Sequence, residues 1–180
     1  FPSLWNLLAE TLYLDRVFPA TRVFGRHREL YENPSHPRAV DYVQGACLMV
    51  RREVLETVGT LDEGFFMYFE ETDWCYRIGQ AGGEVWIVPS AGVIHFGGDT
   101  AGHYDERRLV LYHRSLLRFF DKHFTVSARI AVRTLVFVRS LVRIASWCII
   151  GLFRPGLRNA AWSSCRGYLR VAFSLGRSGV

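Results

Sequence analysis

Past Asp121 this 180-residue chain has no acidic side chain, although nine arginines follow. Those arginines therefore have no ion-pair partner close to them in sequence. The chain also has no CxxC pair and no Cys/His spacing of the zinc-binding kind, which excludes a zinc site of the usual pattern. Its four cysteines, Cys47, Cys75, Cys148 and Cys165, lie 28, 73 and 17 residues apart in apolar surroundings. They read as reduced, buried thiols of a cytoplasmic protein. No GxGxxG or Walker loop is present, so neither common phosphate-cradling turn is available. No internal repeat or low-complexity tract occurs, and an apolar fraction of 49% with 14% aromatics excludes a disordered chain. No signal peptide opens the sequence, and its first residue is Phe. It is expected to be a fragment whose N-terminal portion is absent.

The charge that is present is unevenly spread. The formal net charge is +5, yet residues 1–100 hold eight arginines against 14 acids, and residues 101–180 hold 14 basic residues against three acids. An acidic front and a basic, apolar back suggest a soluble catalytic part joined to a part that meets something anionic.

Periodicity predicts the elements. LWNLLAETLYL, with apolar positions 4, 7, 8, 12 and 14, suits a short helix, and Asn33-Pro34-Ser35-His36-Pro37 forces a loop. Val40 to Val50 reads as a largely buried strand, with Gly45 marking a bulge or a close backbone approach. Arg51 to Val58 reads as a short helix capped by Gly59. A second helix starts near Glu70 and stops at Gly82-Gly83. Glu84 to Val88 and Gly92 to His95 read as short strands, Gly97-Gly98 opens a loop, and Arg107 to Phe124 is helical. Strands alternating with helices indicate an α/β layer architecture.

The 13 residues Phe65 to Arg77, FFMYFEETDWCYR, are the best candidate for a reaction centre. Glu70, Glu71 and Asp73 stand directly behind an aromatic run, at the positive end of a helix. Acids beside aromatics are costly to desolvate, so a raised pKa and a proton-transfer role are expected there. The alternative is plain helix capping. Tyr68 and Trp74 either form a stacking wall for a ring-shaped ligand or belong to the core.

The run VQGACLMVRREVLETVGTLDEGFFMYFEETDWCYRIGQAGGEVWIVPSAGVIHFGG closely resembles the C-terminal half of the catalytic domain of family 2 glycosyltransferases. These are inverting enzymes of the GT-A, Rossmann-like fold, and the nearest subgroup is the bacterial rhamnosyltransferases of cell-envelope polysaccharide synthesis. Residues 40–98 carry the match strongly, and Tyr112 to Phe124 carry it weakly. The resemblance implies transfer of a sugar, rhamnose from dTDP-rhamnose, from a nucleotide-sugar donor to a lipid-linked saccharide acceptor with a divalent cation, Mg2+ or Mn2+. It assigns the second acid of the pair, Glu71, as the base that deprotonates the acceptor hydroxyl. Glu71 replaces the commoner Asp, which leaves the assignment shared among Glu70, Glu71 and Asp73. Glu70 would orient the acceptor or the base, and Asp73 would steady the helix or pair with Arg77 four residues on. Gln44 and Gly45 would line the substrate cleft with Tyr68, Trp74 and Arg77. His95 is the metal-ligand candidate by the same resemblance, or else a structural histidine at a strand end.

The DxD-type motif that holds the metal in such enzymes is absent, and Glu71-Thr72-Asp73 belongs to the acceptor side. The QxxRW signature of processive synthases is absent too, which implies one sugar per encounter. Residues 1–180 are thus expected to lack the donor-binding half and to be inactive alone.

Residues 1–124 are read as the acceptor-side part of the catalytic domain and 125–180 as a helical tail. From Thr125 to Phe153 the arginines 129, 133, 139 and 143 fall within an arc of about 120° at helical spacing, and Leu, Val, Ile and Phe fill the rest. The longest uncharged run in the tail is Ile144 to Phe153, short of the roughly twenty residues of a spanning helix. Pro155-Gly156 breaks the helix, and Leu157 to Leu175 forms a second. A basic amphipathic hairpin suits an anionic membrane surface, placing the protein at the cytoplasmic face of the inner membrane, peripheral or monotopic. Packing on the catalytic domain or a partner, and a tilted spanning helix with snorkelling arginines, are the alternatives. Nucleic acid is not expected, because the arginines are diluted in aliphatics. A non-catalytic membrane-associated scaffold and a helical membrane-interaction module are the rival functions.

Overall fold

The computed structural model describes residues 1–21, 23–24, 35–95 and 106–175. In chain order the elements are α1 (Leu4–Thr11), α2 (Leu14–Val17), β1 (Arg38–Val40), α3 (Arg52–Val58), α4 (Glu70–Gln80), β2 (Val85–Ile87), α5 (Glu106–His123), α6 (Val126–Phe153) and α7 (Arg158–Ser174). A single 3-10 turn, Pro155–Leu157, joins α6 to α7. Gly97-Gly98 and residues 33–34 of the expected 33–37 loop lie outside the described residues.

The described residues are mostly helical, with one small antiparallel sheet and no layered parallel sheet among them. Arg38, Ala39 and Val40 face Ile87, Trp86 and Val85. The ladder ends there because β2 is only three residues long, so the apolar run to Val50 finds no neighbour to pair with. Residues 41–50 are irregular and mostly exposed, and residues 92–95 form no strand. A β-rich sequence becomes a strand only where a ladder partner exists.

The helices match their expected spans closely, because each carries its own boundary signals. Gly59 ends α3 in a positive-φ conformation (79°) that other residues avoid. Thr125 caps α6 through its side-chain oxygen. The core gathers Leu7 of α1, Phe65 and Phe69 ahead of α4, Leu116, Phe119 and Phe120 of α5, Val132 and Val136 of α6, and Val171 of α7. Both tail helices therefore pack on the front of the chain. Gly167 permits the close approach of α7 to α5: a Cβ there would lie 2.9 Å from a methyl of Leu109.

The arginines of α6 do have partners, contrary to the expectation from local sequence. Arg133 grips Asp121 at 2.7 Å, and Arg139 meets Glu10 at 2.5 Å. Arg143 donates to the Glu10 carbonyl at 2.8 Å and lies 3.8 Å from the centre of the Tyr13 ring. Arg129 donates to the Phe124 carbonyl. Every exposed position along α6 is uncharged, and all four arginines are buried or partly buried. An ordinary surface helix does the reverse.

The cysteines are all free, as expected, but only Cys75 and Cys165 are buried; Cys47 and Cys148 are exposed. Cys148 and Cys165 face each other across the α6–α7 hairpin at 3.9 Å.

His113 sits beneath this layer. Its Nδ1 bonds the Leu109 carbonyl at 2.8 Å. Burial first, then the nearby Arg139 and Arg143, hold its pKa down from 6.5 to about 4. The unfolded chain thus takes up this proton before the folded one does. Stability from His113 is full above pH 6.5 and is lost as pH falls toward 4, by on the order of 3 kcal/mol. Denaturant midpoints should fall over that window, and His113→Leu should flatten the slope. An unchanged slope would mean the imidazole is not the group responsible.

Candidate active site

The acid-bearing helix is aimed by an unusual corner. Tyr68 and Phe69 both adopt left-handed backbone conformations, with φ of 66° and 69°. Two consecutive aromatic residues there are strained, and such strain persists only where the surroundings impose it. Phe69 is 6% exposed in the core, 5.8 Å ring to ring from Phe119. Tyr68 meets Tyr112 edge-on, and Ser115 Oγ donates to the Met67 carbonyl at 2.7 Å. Phe69 is the N-cap of α4 and makes no side-chain cap bond, so the acids do not act as an N-cap.

The three acids then diverge in role. Glu70 and Glu71 are half-buried, and each has one carboxylate oxygen out of water without a partner among the described residues. The Glu71 pKa is raised: burial is the main cause and the Glu70 charge adds to it, while backbone N–H groups of Glu71, Thr72 and Gly45 offset part of the rise. Gly45 lies directly against this side chain, its Cβ position 3.8 Å from the Glu71 Cβ. That is an ordinary van der Waals distance, so Gly45 packs against Glu71 without its missing Cβ being required there. Gln44 lies beside it, exposed on the same irregular segment.

Asp73 is wholly buried and fully engaged. It accepts from Arg77 Nε at 2.9 Å, from Lys122 Nζ at 2.9 Å, and pairs with His123 Nε2 at 2.7 Å. Burial works against its charge, but the bonds from Lys122, His123 and Arg77 outweigh it and hold the pKa below the ordinary value. Such a carboxylate is a poor proton acceptor. Lys122 also reaches Asp62 at 2.7 Å, and that bond is the largest single influence bringing the Asp62 pKa to about 2. The C-terminal end of α5 therefore clamps both the turn before the aromatic run and the helix after it.

Two expected substrate contacts are structural instead. Trp74 is 9% exposed and donates its indole N–H to the Gly59 carbonyl at 2.8 Å, so it offers no open face to a sugar. Arg77 spends its guanidinium on Asp73 and on the carbonyls of Val58 and Thr60, both at 2.6 Å, stapling α4 to the end of α3. Tyr68 stays partly exposed beside the acids. His95 is exposed on an irregular stretch. Among the described residues no group of three or more His, Cys, Asp or Glu side chains could hold a metal ion, so His95 has no built ligand set there.

Lys122 and His123 are the residues that sequence reasoning missed. They lie 49 and 50 positions from Asp73, beyond any local pattern. The available signal was compositional: Lys122 is the only lysine of the chain.

Comparison with known proteins bears out the resemblance. The curated homologues are rhamnosyltransferases and other glycosyltransferases. One is an N-acetylglucosaminyl-diphospho-decaprenol L-rhamnosyltransferase of Mycobacterium tuberculosis, 35% identical over 116 residues, covering 59% of this chain and 38% of the relative. Another is the low-salt glycan biosynthesis hexosyltransferase Agl10 of Haloferax volcanii, 48% identical over 40 residues, 22% of this chain and 13% of the relative. A third is the dTDP-rhamnosyl transferase RfbF of Shigella flexneri, 41% identical over 53 residues, 29% of this chain and 18% of the relative. The chain thus spans well under half the length of the relatives it matches. No family model matches the chain. No solved structure matches it closely enough to count.

Proposed function

We propose that the chain forms the acceptor-side part of an inverting glycosyltransferase of the GT-A type, acting in cell-envelope polysaccharide synthesis at the cytoplasmic face of a membrane. The single observation that carries this reading is the contrast within one helical turn: Asp73 is neutralised by three donors, while Glu71 keeps a desolvated, unpartnered oxygen and a raised pKa. A carboxylate whose pKa is raised is a stronger base than an ordinary one. In the reaction the acceptor oxygen bonds to the anomeric carbon as the bond from that carbon to the nucleoside diphosphate breaks. The acceptor proton passes to Glu71, and the leaving diphosphate carries away the electron pair. Burial raises the Glu71 pKa and the Glu70 charge adds to it, Gly45 packs against its flank, and Tyr68 supplies a ring face for the sugar.

The substrates follow from the relatives, whose names specify a diphospho-decaprenol acceptor in one case and a dTDP-rhamnosyl donor in another. A divalent cation would serve the diphosphate, but the described residues offer it no ligand set and no step is routed through it. The test supplies dTDP-rhamnose and a polyprenyl-diphosphate-linked saccharide to the protein carrying this chain and reads the anomeric configuration of the product by NMR. Inversion is expected. A product that retains configuration, or no transfer in the presence of membranes, would overturn the reading.

A further inference from the structure

The exposed positions of α6 form a continuous surface. Val126, Ile130, Phe137, Val138, Leu141, Ile149, Leu152 and Phe153 are 41–80% exposed. The positions between them that also reach the surface are Ser127, Thr134, Ala145 and Cys148. At 100° per residue these twelve positions cover about half of the helix circumference, and the arginines occupy the other part. The stripe runs the 28 residues of α6, about 40 Å at the helical rise. It continues onto α7: Leu152 and Trp162 flank one shallow apolar groove of about 330 Å³ between the helices. Beyond it Leu169 and Phe173 are also exposed. Arg154, Arg158, Arg166 and Arg170 are exposed on the same hairpin.

We infer that α6 lies flat on an anionic bilayer with its arginine face turned inward, so that the uncharged stripe enters the hydrocarbon boundary and the α7 arginines sit at headgroup level. This deepens the membrane part of the proposed function and rests on it. The sequence alone suggests that the α6 arginines meet the headgroups. They are committed instead to Glu10, Asp121 and backbone carbonyls.

Charge decides the occupant. Neither α6 nor α7 contains an acidic residue. A second copy docking on this surface would set arginines against arginines, with Glu106 of α5 already engaged by Arg170 at 2.6 Å and Arg166 at 3.8 Å, whereas anionic headgroups complement them. Crossing the bilayer is disfavoured for a related reason. Although α6 is long and apolar enough to span one by length and composition, it would carry Arg133–Asp121 and Arg139–Glu10 with α1 and α5 into hydrocarbon. An in-plane helix buries only its apolar face.

The experiment measures partitioning of the full protein onto vesicles of phosphatidylcholine alone and of phosphatidylcholine with phosphatidylglycerol, at low and at molar salt. Leu141→Glu with Ile149→Glu should lower partitioning to both vesicle types by roughly a hundredfold, because two aliphatic burials are lost. Ala145→Trp should raise it. Arg158→Gln with Arg166→Gln should weaken only the anionic vesicles, and molar salt should mimic that change. All these positions are exposed, so circular dichroism should show unchanged helicity. Stripe variants that partition like the parent would overturn the inference, as would a lipid-free dimer that the stripe variants dissolve. Partitioning is read without donor or acceptor, so failure of the glycosyl-transfer reading leaves this result standing.

Discussion

Asp73→Asn is expected to remove about 3–5 kcal/mol of stability, the usual cost of breaking a buried ion pair by deleting one partner. The asparagine keeps the volume of the side chain but withdraws the charge that Arg77, Lys122 and His123 share. Lys122 still has Asp62, whereas Arg77 keeps only carbonyl acceptors. Measured against a typical stability of about 5–15 kcal/mol, such a loss brings the fold near its threshold. The denaturant midpoint should drop while the slope stays constant. The same network sets a pH dependence. The depressed Asp73 pKa means that its contribution is full above the ordinary value of 3.8 and is lost as pH falls through the folded value. In Asp73→Asn that acid limb should shrink. A parent-like midpoint would mean that the three donors are as well served by water.

Glu71→Gln is expected to lower kcat by about 10²–10⁴-fold, the range of a general base. KM should change little, because the amide preserves shape and contacts in the ground state. The pH profile identifies the group. Activity requires the ionised carboxylate, so the rate rises as pH passes upward through the Glu71 pKa. Glu70→Gln removes a repulsion that raises this pKa, and it should move the acidic limb of kcat to lower pH with a smaller loss of rate. Full activity in Glu71→Gln would remove it as the base.

Much of the helical framework could be read in advance, because helix boundaries are written locally. Gly59 after Val58, Gly82 after α4, and the apolar spacing of α5 all lie within a few positions of what they determine. The irregular path of residues 41–50 could not be read, since a strand depends on a neighbour elsewhere in the chain. The facing of α6 was hidden for the same reason. Its arc of arginines is plain in the sequence, but the acids that claim it, Glu10 and Asp121, come from α1 and α5. At the site, the motif located Glu70 and Glu71 and the glycine at 45. It also suggested the Asp73–Arg77 pair, but not that Trp74 and Arg77 reach back to the end of α3, because those further partners are backbone carbonyls, which no side-chain pattern reveals.

The left-handed pair at Tyr68 and Phe69 leaves the chain little freedom to vary at its most important corner. Glycine at 69 would relax the backbone but withdraw the ring that anchors the turn among Phe119 and Tyr112. A valine or isoleucine would suit an apolar pocket but not the dihedral angles. Relief and anchorage therefore compete for one residue, and sequences drifting from this one must keep a bulky unbranched side chain there or redirect both carboxylates.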